Sequence, residues 1–167
     1  MSSIIDLIEK YGKYNLWANT TLAEALNTLP EDQFITEQKS SFRTIKETVK
    51  HMYDAETIWF KRLNGVSLTE WPSRGVKCTG AEAVKLLLDA SKDLTSLAGG
   101  LDESRLTSKC RFLSMDGKEF EMNVYDILQH CFNHSTFHRG QLVTMLRFCG
   151  IEKLPSTDYI TYIRKFG

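Results

Sequence analysis

Along most of this chain the apolar positions recur every three to four residues, the spacing that lines one face of an α-helix. Ile4, Leu7, Ile8, Tyr11, Tyr14, Ala18, Leu22 and Ala25 follow it. They predict a first helix over about residues 3–28, ended by Pro30. The segment Glu31–Ser41 is polar and reads as a connection. A second helix is predicted from Thr44, because Thr44-Ile45-Lys46-Glu47 fits a capping box in which Thr44 and Glu47 satisfy each other's free N–H groups. It runs to about Leu63, where Asn64-Gly65 supplies a left-handed cap. Pro72 and Gly75 punctuate residues 65–78, which read as a loop that crosses the molecule. Thr79-Gly80-Ala81-Glu82 repeats the capping box, and a third helix runs from it to about Ala98, before Gly99-Gly100.

The period then changes. Over residues 107–122, Cys110, Phe112, Phe120 and Met122 alternate with polar residues around Ser114-Met115-Asp116-Gly117, the pattern of a β-hairpin. Asn123, with Asp126 three residues later, is placed to cap a fourth helix that ends at Gly150. In the tail, Tyr159, Ile160, Tyr162 and Ile163 are expected to pack back on the helices. The expected fold is all-α: a four-helix bundle with a crossover connection and a small β-hairpin before the last helix, one domain over residues 1–167.

Composition narrows the function. A chain of 167 residues can bury a sizeable core unaided, and three prolines with ten glycines suit long helices. Lys+Arg and Asp+Glu balance at 21 each, which argues against a strong grip on nucleic acid. No apolar run approaches the roughly 18 residues of a membrane span. The opening MSSIIDLIEK lacks the basic-then-apolar order of a secretory leader. Cys78, Cys110, Cys131 and Cys149 form no CxxC pair and read as free thiols in a reducing compartment. A cytoplasmic protein is expected, with neither membrane nor nucleic acid as partner.

The candidate chemistry lies in the histidines. The chain has four, and three fall in His130-Cys-Phe-Asn-His134-Ser-Thr-Phe-His138. His134 and His138 lie about 40° apart on one helical face, a spacing that lets two imidazoles hold one metal ion. Ile127, Cys131, Leu142 and Met145 share that face, so the pair points inward, where unliganded polar rings are costly. His51 shares a side of the second helix with Ala55 and Ile58, which suits an inward ring. Three neutral imidazoles leave positions open on a zinc, nickel or similar ion, for water or a thiolate. Spacing alone leaves a second reading open: an i, i+4 pair arising by chance, with His51 a half-buried structural or surface residue.

His134-Ser-Thr-Phe-His138-Arg139-Gly140-Gln141-Leu142 and Phe42-Arg43-Thr44-Ile45-Lys46-Glu47-Thr48-Val49-Lys50-His51, followed by Ala55-Glu56 and Trp59, resemble the DinB/YfiT-like family of candidate metalloenzymes. Tyr14-Asn15-Leu16-Trp17-Ala18-Asn19 and Pro155-Ser156-Thr157-Asp158-Tyr159 add weaker matches, so the resemblance spans nearly the whole chain. It implies a four-helix bundle and an open three-histidine site whose ligands are His51, His134 and His138. It further implies zinc or nickel as the metal and, in many members, a homodimer. The wider group includes S-transferases and isomerases that use a low-molecular-weight thiol. The leading expectation is a metal-dependent thiol transferase acting on a small-molecule substrate. A metal-dependent hydrolase and a non-catalytic metal-binding stress protein are the rivals.

Neighbouring residues carry expectations of their own. His130 is a candidate proton carrier or else faces solvent, and Cys131 is a soft ligand or a core thiol. Arg139 should lie away from the ligand pair and pair with an acid. Gly140 should allow close helix packing, and Gln141 should orient an imidazole. Asp54 and Glu56 are candidate general bases or solvated carboxylates. Trp17, Trp59, Phe60 and Phe137 should be core.

Overall fold

The computed structural model describes residues 3–167. In chain order these form α1 (Ile4–Leu26), α2 (Glu31–Ile35), α3 (Ile45–Leu63), α4 (Gly80–Gly99), α5 (Glu103–Thr107), β1 (Lys109–Leu113), β2 (Glu119–Asn123), α6 (Val124–Phe148) and α7 (Tyr159–Phe166). Capping boxes start three of the long helices. Those at Thr44–Glu47 and Thr79–Glu82 form as expected, and Ser3–Asp6 makes a third on α1. Asn123 does hold the cap position of α6, but its side chain accepts no helical N–H. Its amide donates instead to Asp126 Oδ2 at 2.8 Å.

The long helices α1, α3, α4 and α6 make the bundle. α4 packs against α1 and α3, and α6 packs against the same two. The crossover is the 65–78 loop. It runs back along α3, with Ser73 bonded to Asp54 and the Val76 carbonyl to Lys50. It thereby delivers Gly80 beside Glu31, which also holds Lys46 at the start of α3. So α3 and α4 run parallel. α6 runs antiparallel to α3, since Thr48 meets Met145 and Glu56 meets Ser135.

The predicted hairpin is present. Cys110 pairs with Met122 and Phe112 with Phe120, and Gly117 takes the positive φ of 80° that its turn needs. Two short helices depart from the sequence expectation. The polar Glu31–Ser41 segment contains α2, whose Phe34 is buried against Gly80. A Cβ at Gly80 would fall 2.1 Å from that ring, so a glycine is required there. Likewise α5 is one turn capped by Asp102, anchored by fully buried Leu106. Neither is long enough to show a helical period. The tail packs back as α7 through Tyr159, Tyr162 and Ile163, and Tyr14 donates to the Thr157 carbonyl at 2.9 Å. Ile160, expected among the packed residues, is exposed instead. Among the described residues no helix is long and apolar enough to cross a membrane.

Candidate metal centre

The antiparallel packing of α3 on α6 sets His51 opposite His134 and His138. The Nε2 atoms of His51 and His134 are 3.0 Å apart, and those of His138 and His134 are 3.1 Å apart. One nitrogen from each of the three rings lies within 4.8 Å of the others. His138 is buried and the other two are half-buried, so the cluster sits at the edge of the bundle.

Hydrogen bonding fixes one tautomer. His138 Nδ1–H donates to Gln141 Oε1 at 2.8 Å, and Gln141 Nε2 donates to Ser41 Oγ at 2.8 Å. That leaves the His138 Nε2 lone pair facing the cluster. Gln141 thus orients an imidazole, as its position on the ligand side predicted. Protons cannot satisfy what remains. A hydrogen on His134 Nε2 serves one neighbour at full strength and leaves the other contact unserved. Placing it on Nδ1 instead buries a donor, since His134 Nδ1 has no partner among the described residues. A cation accepts all three lone pairs at once. Metal–nitrogen bonds of about 2.0–2.1 Å put neighbouring ligands about 2.9–3.3 Å apart, so the two separations from His134 fit, and the third pair lies within 4.8 Å.

Electrostatics keeps the lone pairs available. Burial, and then the charge of neighbouring imidazoles, lowers His51 and His134 from 6.5 to about 4. Burial lowers His138 as well, against a raising contribution from Gln141. All three are neutral at pH 7, the form that ligates.

Aromatic rings border the cluster. Phe42 stacks on His51 at 4.3 Å between centroids and lies 5.8 Å from His138. Trp71, from the crossover loop, lies 6.4 Å from His51. On the far side His130 stands 5.8 Å from His134 and edge-on to Trp59. His130 is therefore beside the cluster and not in it. Cys131 is a core thiol: fully buried, outside the cluster, its pKa pushed well up by desolvation. Phe137 is not core. It is exposed, with its ring 5.0 Å from His138, while Trp17, Trp59 and Phe60 are half-buried.

A second polar cluster lies deeper, one residue along α6 from both His134 and His138. Glu56 is only 1% exposed, and its Oε1 accepts from Asn15 Nδ2 (2.8 Å), Asn19 Nδ2 (3.1 Å) and Ser135 Oγ (2.7 Å). Its Oε2 accepts from Ser91 Oγ at 2.6 Å. Arg139, also 1% exposed, donates to Asn15 Oδ1 at 2.7 Å and Asn19 Oδ1 at 2.9 Å. The expected acid partner of Arg139 is thus Glu56, reached through two carboxamides and not directly. Neither candidate carboxylate is solvated: Asp54 is buried too, accepting from Ser73 N and Oγ, both at 2.7 Å. Gly140 does not serve packing, because nothing lies within 4 Å of where its Cβ would stand. The sequence reading gave Asn15, Asn19, Ser91 and Ser135 no role. Two asparagines one turn apart on the same face as Ala18 and Leu22 were the available signal.

Four long helices closed on a buried polar cluster, with three convergent imidazoles at one edge, define a helical-bundle protein with a candidate metal centre. Protein DinB of Bacillus subtilis (strain 168) is 26% identical over 163 residues, covering 95% of this chain and 94% of that protein. Two crystal structures of DinB-like proteins share the fold. The one from Bacillus cereus ATCC 10987 has a TM-score of 0.64 at 16% identity, over 84% of this chain and 90% of its own. YjoA from Bacillus subtilis has a TM-score of 0.67 at 15% identity, over 89% and 96%. The DinB family model matches residues 1–165, and the chain belongs to that family.

Proposed function

We propose that this chain is a metal-dependent enzyme in which His51, His134 and His138 hold one divalent transition ion, zinc or nickel, and a small-molecule thiol, giving its S–H proton to solvent, forms a new bond to an electrophilic substrate as that substrate's leaving group departs. One observation carries the reading: three imidazole nitrogens converge on a point that protons cannot serve. An ion bound there would supply Lewis acidity, lowering the pKa of a thiol or of water. The protein's own part is orientation. Gln141 holds the His138 tautomer, and Phe42 stacks on His51 and backs its ring.

Thiol chemistry is preferred over hydrolysis because of the carboxylates. Metal-assisted hydrolysis commonly uses a free general base beside the ion, as in HExxH proteases. Here Asp54 and Glu56 are both engaged as hydrogen-bond acceptors from their neighbours. A bound thiolate needs no such base. The half-exposed His51 and His134 do give water access, so metal-dependent hydrolysis is the second reading. We read the chain as one cytoplasmic domain that pairs as a homodimer.

The test is metal content followed by ligand exchange. Purified protein should carry close to one divalent ion per chain, and His134→Ala/His138→Ala should carry none. Cobalt-substituted protein should gain a thiolate-to-metal charge-transfer band on adding L-cysteine. Full occupancy in the double variant sinks the centre. Cobalt loading with no such band sinks the thiol reading and leaves the hydrolase.

A further inference from the structure

We propose that the cleft between Phe42 and Trp71, on the His51 side of the centre, is the substrate subsite. Its occupant is a small molecule that carries one flat apolar group and one anionic group. The assignment rests on the histidines being the reaction centre, but not on which metal or nucleophile works there. The cleft has a volume of about 590 Å³, within the range of small-molecule sites.

Its walls make the case for the flat group. Phe42 and Trp71 both border the His51 ring, so a planar group lying between them is held against the centre. Trp71 is 47% exposed, a costly place for an indole unless something covers it. Nor is it on a loose strand of chain. Ser73 is clasped through both its N–H and its hydroxyl by the buried Asp54 carboxylate, and Arg74 N–H closes a turn onto the Trp71 carbonyl at 2.8 Å. A buried carboxylate spent on one point of a surface loop fixes the ring two residues away. Fixed aromatic walls lose little entropy when a ligand enters.

The hydrogen-bonding groups around the cleft make the case for the anion. Glu47 accepts from Thr44 N–H in the α3 cap, and Asp54 is taken by Ser73. Arg74 pairs with Glu70 at 3.0 Å. Lys50 differs from these. Its ammonium meets only the neutral Val76 carbonyl, at 3.0 Å, and among the described residues it forms no ion pair. An ammonium carries three donors, so two remain for a ligand. Lys50 lines the cleft beside His51, and what it offers an anion there is its free N–H donors, since the nearby Glu47 and Asp54 carboxylates are bonded only to neutral groups and balance its charge.

The probes are naphthoate (flat and anionic), naphthylmethanol (flat and neutral) and cyclohexanecarboxylate (anionic, not flat). Each is titrated calorimetrically into the full chain stripped of metal, so that a carboxylate cannot bind through the ion. Naphthoate should bind more tightly than either of the others. Trp71→Ala should weaken it by up to about tenfold, the worth of one aromatic contact, and Trp71→Phe should restore most of that. Lys50→Gln should weaken naphthoate several-fold and leave naphthylmethanol unchanged. Both side chains are partly exposed, and a thermal melt of each variant checks that the fold is intact. Wild-type naphthoate affinity in Trp71→Ala overturns the subsite. Equal losses for naphthoate and naphthylmethanol in Lys50→Gln overturn the anionic half. If metal analysis clears the histidines of any ion while naphthoate selectivity persists, the metal centre falls, the substrate-subsite assignment falls with it, and the cleft stands only as a ligand-binding site. If the ion is confirmed and selectivity is absent, the cleft falls alone.

Discussion

Two polar clusters sit side by side on α6, and they have opposite characters. Ser135 and Arg139 face the bundle axis, whereas His134 and His138, each one residue earlier, face its edge; a step of one residue turns the side chain by about 100°. The inner cluster joins Asn15 and Asn19 on α1, Glu56 on α3, Ser91 on α4 and Ser135 and Arg139 on α6, so every long helix contributes to it. Donors and acceptors alternate through it, and Arg139 Nε is its one buried donor left over. The outer cluster is made of like groups whose lone pairs point at one another. A closed network fastens helices together and asks for nothing more. An open one is stable only with a guest, and this contrast separates scaffold from function without reference to any relative.

The contrast is broken most severely at Glu56. Glu56→Ala leaves Arg139 buried with its counter-charge gone and frees the donors of Asn15, Asn19, Ser91 and Ser135. Removing one partner of a buried pair costs about 3–5 kcal/mol, and urea denaturation of the metal-free protein should show a loss of that size. A loss below about 1 kcal/mol, the scale of an exposed pair, would mean that the network is not holding the bundle. The outer cluster should behave in the opposite way. Stripping the ion with a chelator should leave a folded bundle, and adding it back at about 100 times its dissociation constant should stabilise the fold by about 2.7 kcal/mol. His134→Ala should remove that gain while the metal-free protein stays folded. If the stripped chain unfolds altogether, the ion is structural and the two clusters are not distinct in kind.

The sequence made the scaffold legible wherever a period or a cap was long enough to register. Capping boxes at Thr44 and Thr79 and the alternation around Gly117 placed two helices and the hairpin almost to the residue. α2 and α5 escaped because one turn holds too few residues to show a period, and each is fixed by one buried side chain, Phe34 or Leu106. For the site, the i, i+4 spacing made His134 and His138 candidates and inward neighbours made His51 one, but only the family resemblance joined the three into a ligand set. Polar partners were harder to read. Glu56 and Asp54 look like ordinary charges on a helix, and only the packing of α1, α4 and the crossover loop against α3 shows them buried. Trp71 was invisible for the same reason: its place beside His51 depends on a clasp between Asp54 and Ser73, nineteen residues apart.

A smaller effect sharpens the boundary between the clusters. Gln141→Ala removes the acceptor that fixes the His138 tautomer but touches nothing in the Glu56 network. Loss of such an orienting partner typically weakens metal binding by about 10–100-fold. Competition against a chromophoric chelator should show that loss, with the metal-free melting temperature unchanged. Unaltered metal affinity would mean that Gln141 serves the Ser41 segment and not the histidine.

The smallest expected effect is on pH dependence, and its sign follows from the direction of the histidine shifts. His51 and His134 titrate near 4 in the fold, against about 6.5 in an unfolded chain. Between those values the unfolded chain takes up protons that the fold refuses. The stability linked to these groups is therefore present in full above about pH 6.5 and is lost as pH falls from there towards 4. Burial is the larger cause and the neighbouring imidazole charge the smaller, so the loss should already be visible in metal-free protein. Both rings are partly exposed, which trims the effect to under about 1 kcal/mol per pH unit. Bound metal holds protons off more strongly, so the loaded protein should go on losing stability to lower pH, until the ion leaves. The control is His51→Asn/His134→Asn, which cannot titrate, with urea stability measured in chelator at pH 7 and pH 5. Wild type should lose more than the variant over that interval. Equal losses would place the acid sensitivity elsewhere in the bundle, and the histidine cluster would then be no less settled in its protons than the network beside it.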